Sequence, residues 1–206
     1  MGQKYKIMLM YEPKNFENLF GMPGFSDEML TNHFTLYQGY VKNVNKVSET
    51  LTQMLGDGKT ANPEYAELKR RFGWEFNVMR LHELYFANMT NEAGSLSENS
   101  SIMKKISEVY NSYDNWERDF KAVGAMRGIG WAILYHDKFA DRLFNVWINE
   151  HEFGHLAGGN PILVLDVFEH AYITDYGLKR ADYIEAFFKA IDWEVAENRM
   201  KQQFAI

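Results

Sequence analysis

Two stretches of large apolar side chains at helical spacing, separated by a short break, constrain this chain more than any other feature. In the first, Leu30, Phe34, Tyr37, Val41, Val44, Leu51 and Leu55 recur every three or four residues or a multiple of that. That period lines one face of an α-helix. Ser26 precedes the stretch as an N-cap, with Asp27 and Glu28 in the first turn, where the helix dipole favours acids. Gly56-Asp57-Gly58 ends it. The second stretch opens at Asn62-Pro63, a capping side chain before a residue suited to the first helical position. It carries Leu68, Phe72, Phe76, Met79 and Phe86. Two long helices joined by a short loop fold back as a hairpin.

Beyond the hairpin the texture changes. Residues 91–101 are polar and hold Gly94, Ser95, Ser97 and Asn99, so they mark a boundary. The division predicts an N-terminal helical-hairpin domain over 1–93 and a C-terminal domain over 94–206. A helix is predicted over 102–120, with Ile106, Val109, Tyr113 and Trp116 on one side. Residues 130–136 and 143–149 are short runs rich in β-branched and aromatic side chains, joined by a turn over 137–141. Residues 161–166 form a third apolar run, which reads as a central strand. A single closing helix is predicted over 181–203, with Ile184, Phe188, Ile191 and Val195 inward. The fold class is α+β: an N-terminal helical hairpin plus a C-terminal α/β unit with a small, three-stranded antiparallel sheet.

Composition removes several chemistries. There is no cysteine, which excludes disulfides, thiolate metal sites and a cysteine nucleophile. The net charge of −6 gives nucleic acid no electrostatic reason to bind. An anionic substrate needs local positive charge to reach a site on such a surface. The apolar run at 7–10 is too short for a signal-peptide core, and that at 161–165 is too short to span a bilayer. The expectation is a cytoplasmic protein with no membrane partner. Asn88-Met89-Thr90 and Asn99-Ser100-Ser101 match the glycosylation pattern by chance.

Of the six histidines, three group with one carboxylate. His33 adjoins Phe34 on the apolar side of the first helix, and His82 follows Met79 on that of the second. A hairpin brings such imidazoles face to face. Asp166 ends an apolar strand, where a carboxylate is costly unless paired or bound to metal, and His170 follows four residues later. Singly, each histidine reads as a hydrogen-bonded core residue. Together with Asp166 they make a closed metal site between the two halves.

Residues 166–172, Asp-Val-Phe-Glu-His-Ala-Tyr, resemble the D-V-W-E-H-A-Y signature of iron and manganese superoxide dismutases. Tyr176, Arg180-Ala181-Asp182-Tyr183 and Ile191-Asp192-Trp193 resemble the segment that follows it in that family. Residues 128–134, with Trp131, are similar to the family's G-S-G-W-x-W-L strand. Phe76-Asn77 and residues 82–86 resemble its second helix. Tyr40-Val41 and Asn45 match Y-V-x-x-x-N of its first. The resemblance implies a redox metal held by His33, His82, Asp166 and His170, with a bound water or hydroxide. It implies disproportionation of superoxide to dioxygen and hydrogen peroxide as the metal cycles between +3 and +2. It also implies a homodimer, Tyr40 as the proton-relay and access residue at the mouth, and Arg180 as the arginine of the substrate funnel. One iron per chain is the favoured cofactor, with manganese as the alternative.

Several positions depart from the family pattern. The family's outer-sphere glutamine falls on His151, which can donate to metal-bound solvent as glutamine does. The first helix is one residue shorter between His33 and Tyr40, so the family's local bulge is expected to be missing. Tyr37 or Leu36 stands where a second histidine is usual, and Ile173 replaces the second tyrosine of H-A-Y-Y. In the family those two residues pair across the dimer interface. Glu169, which in the family reaches the partner's ligand histidine, is retained, and Phe168 replaces the usual tryptophan. A competing reading takes His151-Glu152-Phe153-Gly154-His155 as the H-E-x-x-H of a zinc metalloprotease, with Glu169 as third ligand. A non-catalytic relative of the same fold is the other alternative.

Overall fold

The computed structural model describes residues 10–201. Helix α1 spans Asp27–Gly56 and α2 spans Pro63–Ala87. Both begin where the sequence places them. Ser26 Oγ accepts the Met29 amide at 3.1 Å, and Asn62 Oδ1 accepts that of Glu64 at 3.0 Å. The α1 stripe is buried from Leu30 to Leu51, while Leu55, at the hairpin tip, is exposed. Helix α1 is α-helical throughout, with no bulge between His33 and Tyr40.

The predicted helix over 102–120 is two helices, α3 (Ser101–Tyr110) and α4 (Tyr113–Gly124). Asn111 between them takes a left-handed conformation at φ 68°, and Ser112 caps α4 by accepting the Asn115 amide at 3.1 Å. Asparagine is one of the few side chains that adopts this backbone region readily. Strands β1 (Gly130–Asp137), β2 (Arg142–Asn149) and β3 (Gly159–Asp166) form one antiparallel sheet in the order β2-β1-β3.

The third strand is therefore an edge strand, not the central one expected. Its continuous apolar run arises because α2 and the C-terminal helix both pack on it, and Pro161 fits an edge beside a register irregularity. The central strand is β1, buried from Gly130 to His136. At Gly130 (φ 155°) an added Cβ would stand 1.9 Å from the Ile148 carbonyl oxygen, so the β1–β2 ladder requires glycine there.

After β3 come a 3₁₀ turn (Glu169–Ala171), a short helix α5 (Ile173–Tyr176), α6 (Arg180–Phe188) and α7 (Trp193–Lys201). The single closing helix is thus two. Ile191 leaves the helix to bridge Met89, and Asp192 Oδ1 accepts the Glu194 and Val195 amides to restart it. Its expected end at 203 lies outside the described residues. Asn88 is fully buried, accepting the Val164 amide at 2.8 Å and meeting Arg199.

The two halves are stitched around the end of β3. Asp175 in α5 accepts both the amide (2.7 Å) and the hydroxyl (2.6 Å) of Ser26 at the start of α1. The Tyr85 and Tyr183 hydroxyls lie 2.9 Å apart, and Tyr183 donates to the Asp166 carbonyl at 2.7 Å. These bonds fix the backbone that carries the candidate ligands.

Candidate metal centre

His33 of α1, His82 of α2, Asp166 at the end of β3 and His170 in the following 3₁₀ turn meet in one cluster. Each offers a ligand atom, and these atoms all lie within 4.8 Å of one another. Three Nε2 atoms converge on a single carboxylate oxygen, Asp166 Oδ2, at 3.2 Å (His33), 3.6 Å (His82) and 3.2 Å (His170). Neighbouring ligand atoms around an ion with bonds of about 2 Å stand about 3–4 Å apart, which these separations match. His82 Nδ1 donates to the Val78 carbonyl at 2.7 Å, which fixes the tautomer and leaves Nε2 as the lone-pair nitrogen. That Nε2 is buried and has no hydrogen-bond partner. An orphaned acceptor turned toward two imidazoles and a carboxylate is the arrangement that a cation satisfies.

The electrostatics agree. Burial lowers the pKa of His33, partly offset by Asp166, and lowers that of His82 further, with His33 adding to the effect. Both rings are neutral at ordinary pH. Burial acts to raise the Asp166 pKa, but His170 and His33 hold its carboxyl well below the usual carboxylate range. The Phe168 amide donates to its Oδ1 at 2.9 Å. Neutral imidazoles with one carboxylate suit iron or manganese.

The other expected site residues stand around this cluster. His151 is buried, and its Nδ1 accepts the indole N–H of Trp131 at 3.0 Å. That bond assigns the ring proton to Nε2. Burial, the largest cause, pushes its pKa down to about 4, so the ring is a neutral Nε2–H donor. Phe168 stacks on both His151 (centroids 4.6 Å apart) and His170 (5.2 Å). The half-buried Tyr40 lies 5.4 Å from His82 and 6.2 Å from His151, ring to ring. Burial, then Asp166, raises its pKa, so its hydroxyl keeps its proton near neutrality. Arg180 donates to the Tyr172 hydroxyl and to the carbonyls of Met126 and Gly128, at 3.2, 2.7 and 2.9 Å.

The H-E-x-x-H segment is not helical. Residues 151–155 form a turn with Gly154 at φ 111°. His151 is engaged with Trp131, and His155 pairs with the Tyr135 hydroxyl at 2.8 Å. A zinc-protease site needs both imidazoles on one helical face, and that face does not form.

Two departures from the family pattern acquire a structural meaning. Tyr37 is buried and donates to Glu83 Oε1 at 3.0 Å, while Lys14 and Arg80 pair with the same carboxylate. Its hydroxyl is committed within the chain. Ile173 is exposed. Sequence reasoning missed the wall formed by Arg71, Trp74 and Glu75 of α2. The available signal was an acid, Glu75, two turns before His82 on the buried face of the same helix.

Comparison with known proteins reaches the same chemistry. Residues 98–199 match the family described as iron/manganese superoxide dismutases, C-terminal domain. A manganese superoxide dismutase of Haloferax volcanii is 37% identical over 187 residues, covering 87% of this chain and 89% of the relative. An iron superoxide dismutase of Aquifex pyrophilus is 38% identical over 196 residues, 93% of this chain and 91% of the relative. An iron superoxide dismutase of Cupriavidus metallidurans is 36% identical over 183 residues, 86% and 89%.

Proposed function

The chain belongs to the iron/manganese superoxide dismutase family and disproportionates superoxide, and from that premise we propose that His33, His82, Asp166 and His170 hold the one redox metal that does so. A bound iron or manganese ion supplies the one-electron couple that turns one superoxide into dioxygen and, with two protons, a second into hydrogen peroxide. The observation that supports the assignment is the convergence of three imidazole Nε2 atoms on the Asp166 carboxylate, one of them, among the described residues, without a hydrogen-bond partner. Iron is the metal we favour, with manganese able to occupy the same donors.

The surrounding side chains handle protons and access. His151 offers a fixed Nε2–H donor because Trp131 holds its other nitrogen. Tyr40 keeps a protonated hydroxyl beside it and narrows the approach. Together they deliver protons to the reduced dioxygen species and exclude bulky molecules. Arg180 adds positive charge beside the ligand turn while tethering it to residues 126–128.

We assign the working form as a cytoplasmic homodimer. Met126, Ile129, Ile173 and Leu178 are exposed and apolar, and Arg180 joins the two segments that carry them. Glu169 beside them is also exposed, as a residue reaching a partner must be. Among the described residues no helix is long and apolar enough to cross a membrane.

The test is reconstitution with iron and, separately, with manganese, followed by the rate of superoxide disproportionation. Activity that His170→Ala abolishes supports the assignment, and the ratio of the two rates gives the metal preference. A folded protein of confirmed metal content that is inactive with both metals overturns it.

A further inference from the structure

Glu75 is buried, 4% exposed, on the α2 face that also carries His82. A buried carboxylate is costly unless it is paired and hydrogen-bonded, and among the described residues the hydrogen bonds to this one come from a single side chain. Its Oε1 takes both Nε and Nη2 of Arg71, at 2.9 and 2.8 Å. Its Oε2 is buried with no hydrogen bond. The guanidinium is thus held by the carboxylate on one side and by a ring on the other. It lies 3.8 Å above the Trp74 ring while its side chain stays 47% exposed. Trp74 in turn meets His151 edge-on at 4.6 Å and Tyr40 at 5.9 Å. The cation is therefore one ring away from both residues that guard the cluster. Its neighbour Arg70 differs in every respect: it is 74% exposed and paired only with the equally exposed Glu67.

We propose that Arg71, fixed by Glu75 over the Trp74 ring, is the anion-positioning residue at the mouth of the centre, raising the local concentration of superoxide on a chain of net charge −6. The reading rests on the dismutase assignment and adds to it a cation from the first half of the chain, separate from Arg180. Stacking and two hydrogen bonds to one carboxylate oxygen hold the charge in one place, where flexible surface lysines are averaged over many. Removing one monovalent charge at this position, with the paired Glu75 carboxylate left in place, changes the occupancy of a nearby anion by about two- to fivefold. The effect is largest at low ionic strength, where the screening length is long.

The experiment compares Arg71→Gln, Arg71→Lys and Arg70→Gln in the metal-loaded full chain. Each is read by kcat/KM for superoxide against ionic strength, by kcat, and by the dissociation constant of azide from the visible absorption of the metal. Arg71→Gln is expected to lower kcat/KM at low salt by about two- to fivefold, flatten its salt dependence and weaken azide by a similar factor, with kcat little changed. Arg71→Lys is expected to keep most of the salt dependence, because the charge remains. Arg70→Gln, which removes the same charge one residue away, is expected to change none of these. Equal effects of Arg70→Gln and Arg71→Gln overturn the proposal. So does a loss of kcat shared by Arg71→Gln and Arg71→Lys without a change in salt dependence, which is the mark of a structural role. Azide binding separates this from the dismutase reading: a wild type that binds azide without disproportionating superoxide contradicts that reading, and the azide constants of the variants still decide the role of Arg71.

Discussion

Trp131 donates its indole N–H to Nδ1 of His151 at 3.0 Å, and this one bond decides what His151 can do. With Nδ1 accepting, the ring proton sits on Nε2. In the proposed function, the donor that the family usually supplies with a glutamine amide is supplied by this neutral imidazole. Trp131→Phe removes the lock and frees the ring to take either tautomer. The expected outcome is a folded, metal-replete protein with kcat reduced by about tenfold. His151→Gln, which restores an amide donor, is expected to retain most activity, and His151→Ala to lose it. Steady-state kinetics on the three variants decide the point.

The same ring ties stability to pH. Burial holds the His151 pKa near 4, against 6.5 in an unfolded chain. The unfolded state therefore binds a proton that the folded state refuses between those values. Stability is full above about pH 6.5 and is lost as pH falls toward 4, by up to roughly 3 kcal/mol from this group. Urea melts of His151→Gln should show a shallower decline across that window than wild type. An identical decline would assign the acid sensitivity to other groups.

Glu197 supplies a second acid-sensitive contact, among residues other than the candidate ligands. It accepts the Ser101 and Ile102 amides at 3.0 and 3.1 Å and the Ser101 hydroxyl, capping α3 from α7. Burial acts to raise its pKa, but the Ser101 and Ile102 hydrogen bonds outweigh it and carry the value down to about 2. A depressed carboxylate contributes stability above its unfolded pKa of 4.5 that is lost as pH falls toward 2. Glu197→Gln is expected to cost about 1–3 kcal/mol at pH 7 and almost nothing at pH 2. Thermal melts at the two pH values test this.

Removing the metal should destabilise the fold as well as silence it. The ligand cluster buries an ionised Asp166 against rings that burial holds neutral at His33 and His82. An ion that binds only the folded chain raises its stability by mass action. Chelation is expected to lower Tm by several degrees. In Asp166→Asn, which removes the buried charge and the metal site together, chelator should leave Tm unchanged. A chelator-sensitive Tm in that variant would count against Asp166 as a ligand.

Much of this was legible because local signals and long-range needs coincide. Ser26 and Asn62-Pro63 cap their helices in the structure as the sequence predicts, and His33 and His82 sit on apolar stripes that only a hairpin can bury. What was illegible involves residues with weak local signals. Asn111 and Ser112 break a helix without glycine or proline, and Ile191 leaves one to bridge Met89. The apolar run of β3 reads as central because helices cover it from outside the sheet; Pro161 was the cue to an edge. Arg71 and Trp74 could not be placed at the mouth from sequence, since their role depends on a turn that brings His151 across from 77 residues away in the case of Trp74. The H-E-x-x-H pattern failed for a backbone reason, Gly154 at positive φ.

The last prediction concerns assembly. In the family, the position of Tyr37 or Leu36 and that of Ile173 carry a histidine and a tyrosine that pair between subunits. Here Tyr37 donates to Glu83 of its own chain, and burial, the largest cause, raises its pKa to about 12. It has no free hydroxyl proton for a partner. Ile173 offers an exposed apolar side chain instead, near Leu178 and the 126–129 segment. An interface across this surface should therefore depend on apolar contact at 173 and be indifferent to the Tyr37 hydroxyl. Ile173→Asp, which introduces a charge into a self-complementary patch and so acts twice in a two-fold dimer, is expected to yield monomers by sedimentation velocity with secondary structure intact. Tyr37→Phe is expected to cost about 1–2 kcal/mol, because Glu83 loses a buried donor, yet to sediment as a dimer. If Tyr37→Phe dissociates the protein and Ile173→Asp does not, the subunits meet through the tyrosine after all, and the apolar surface serves another contact.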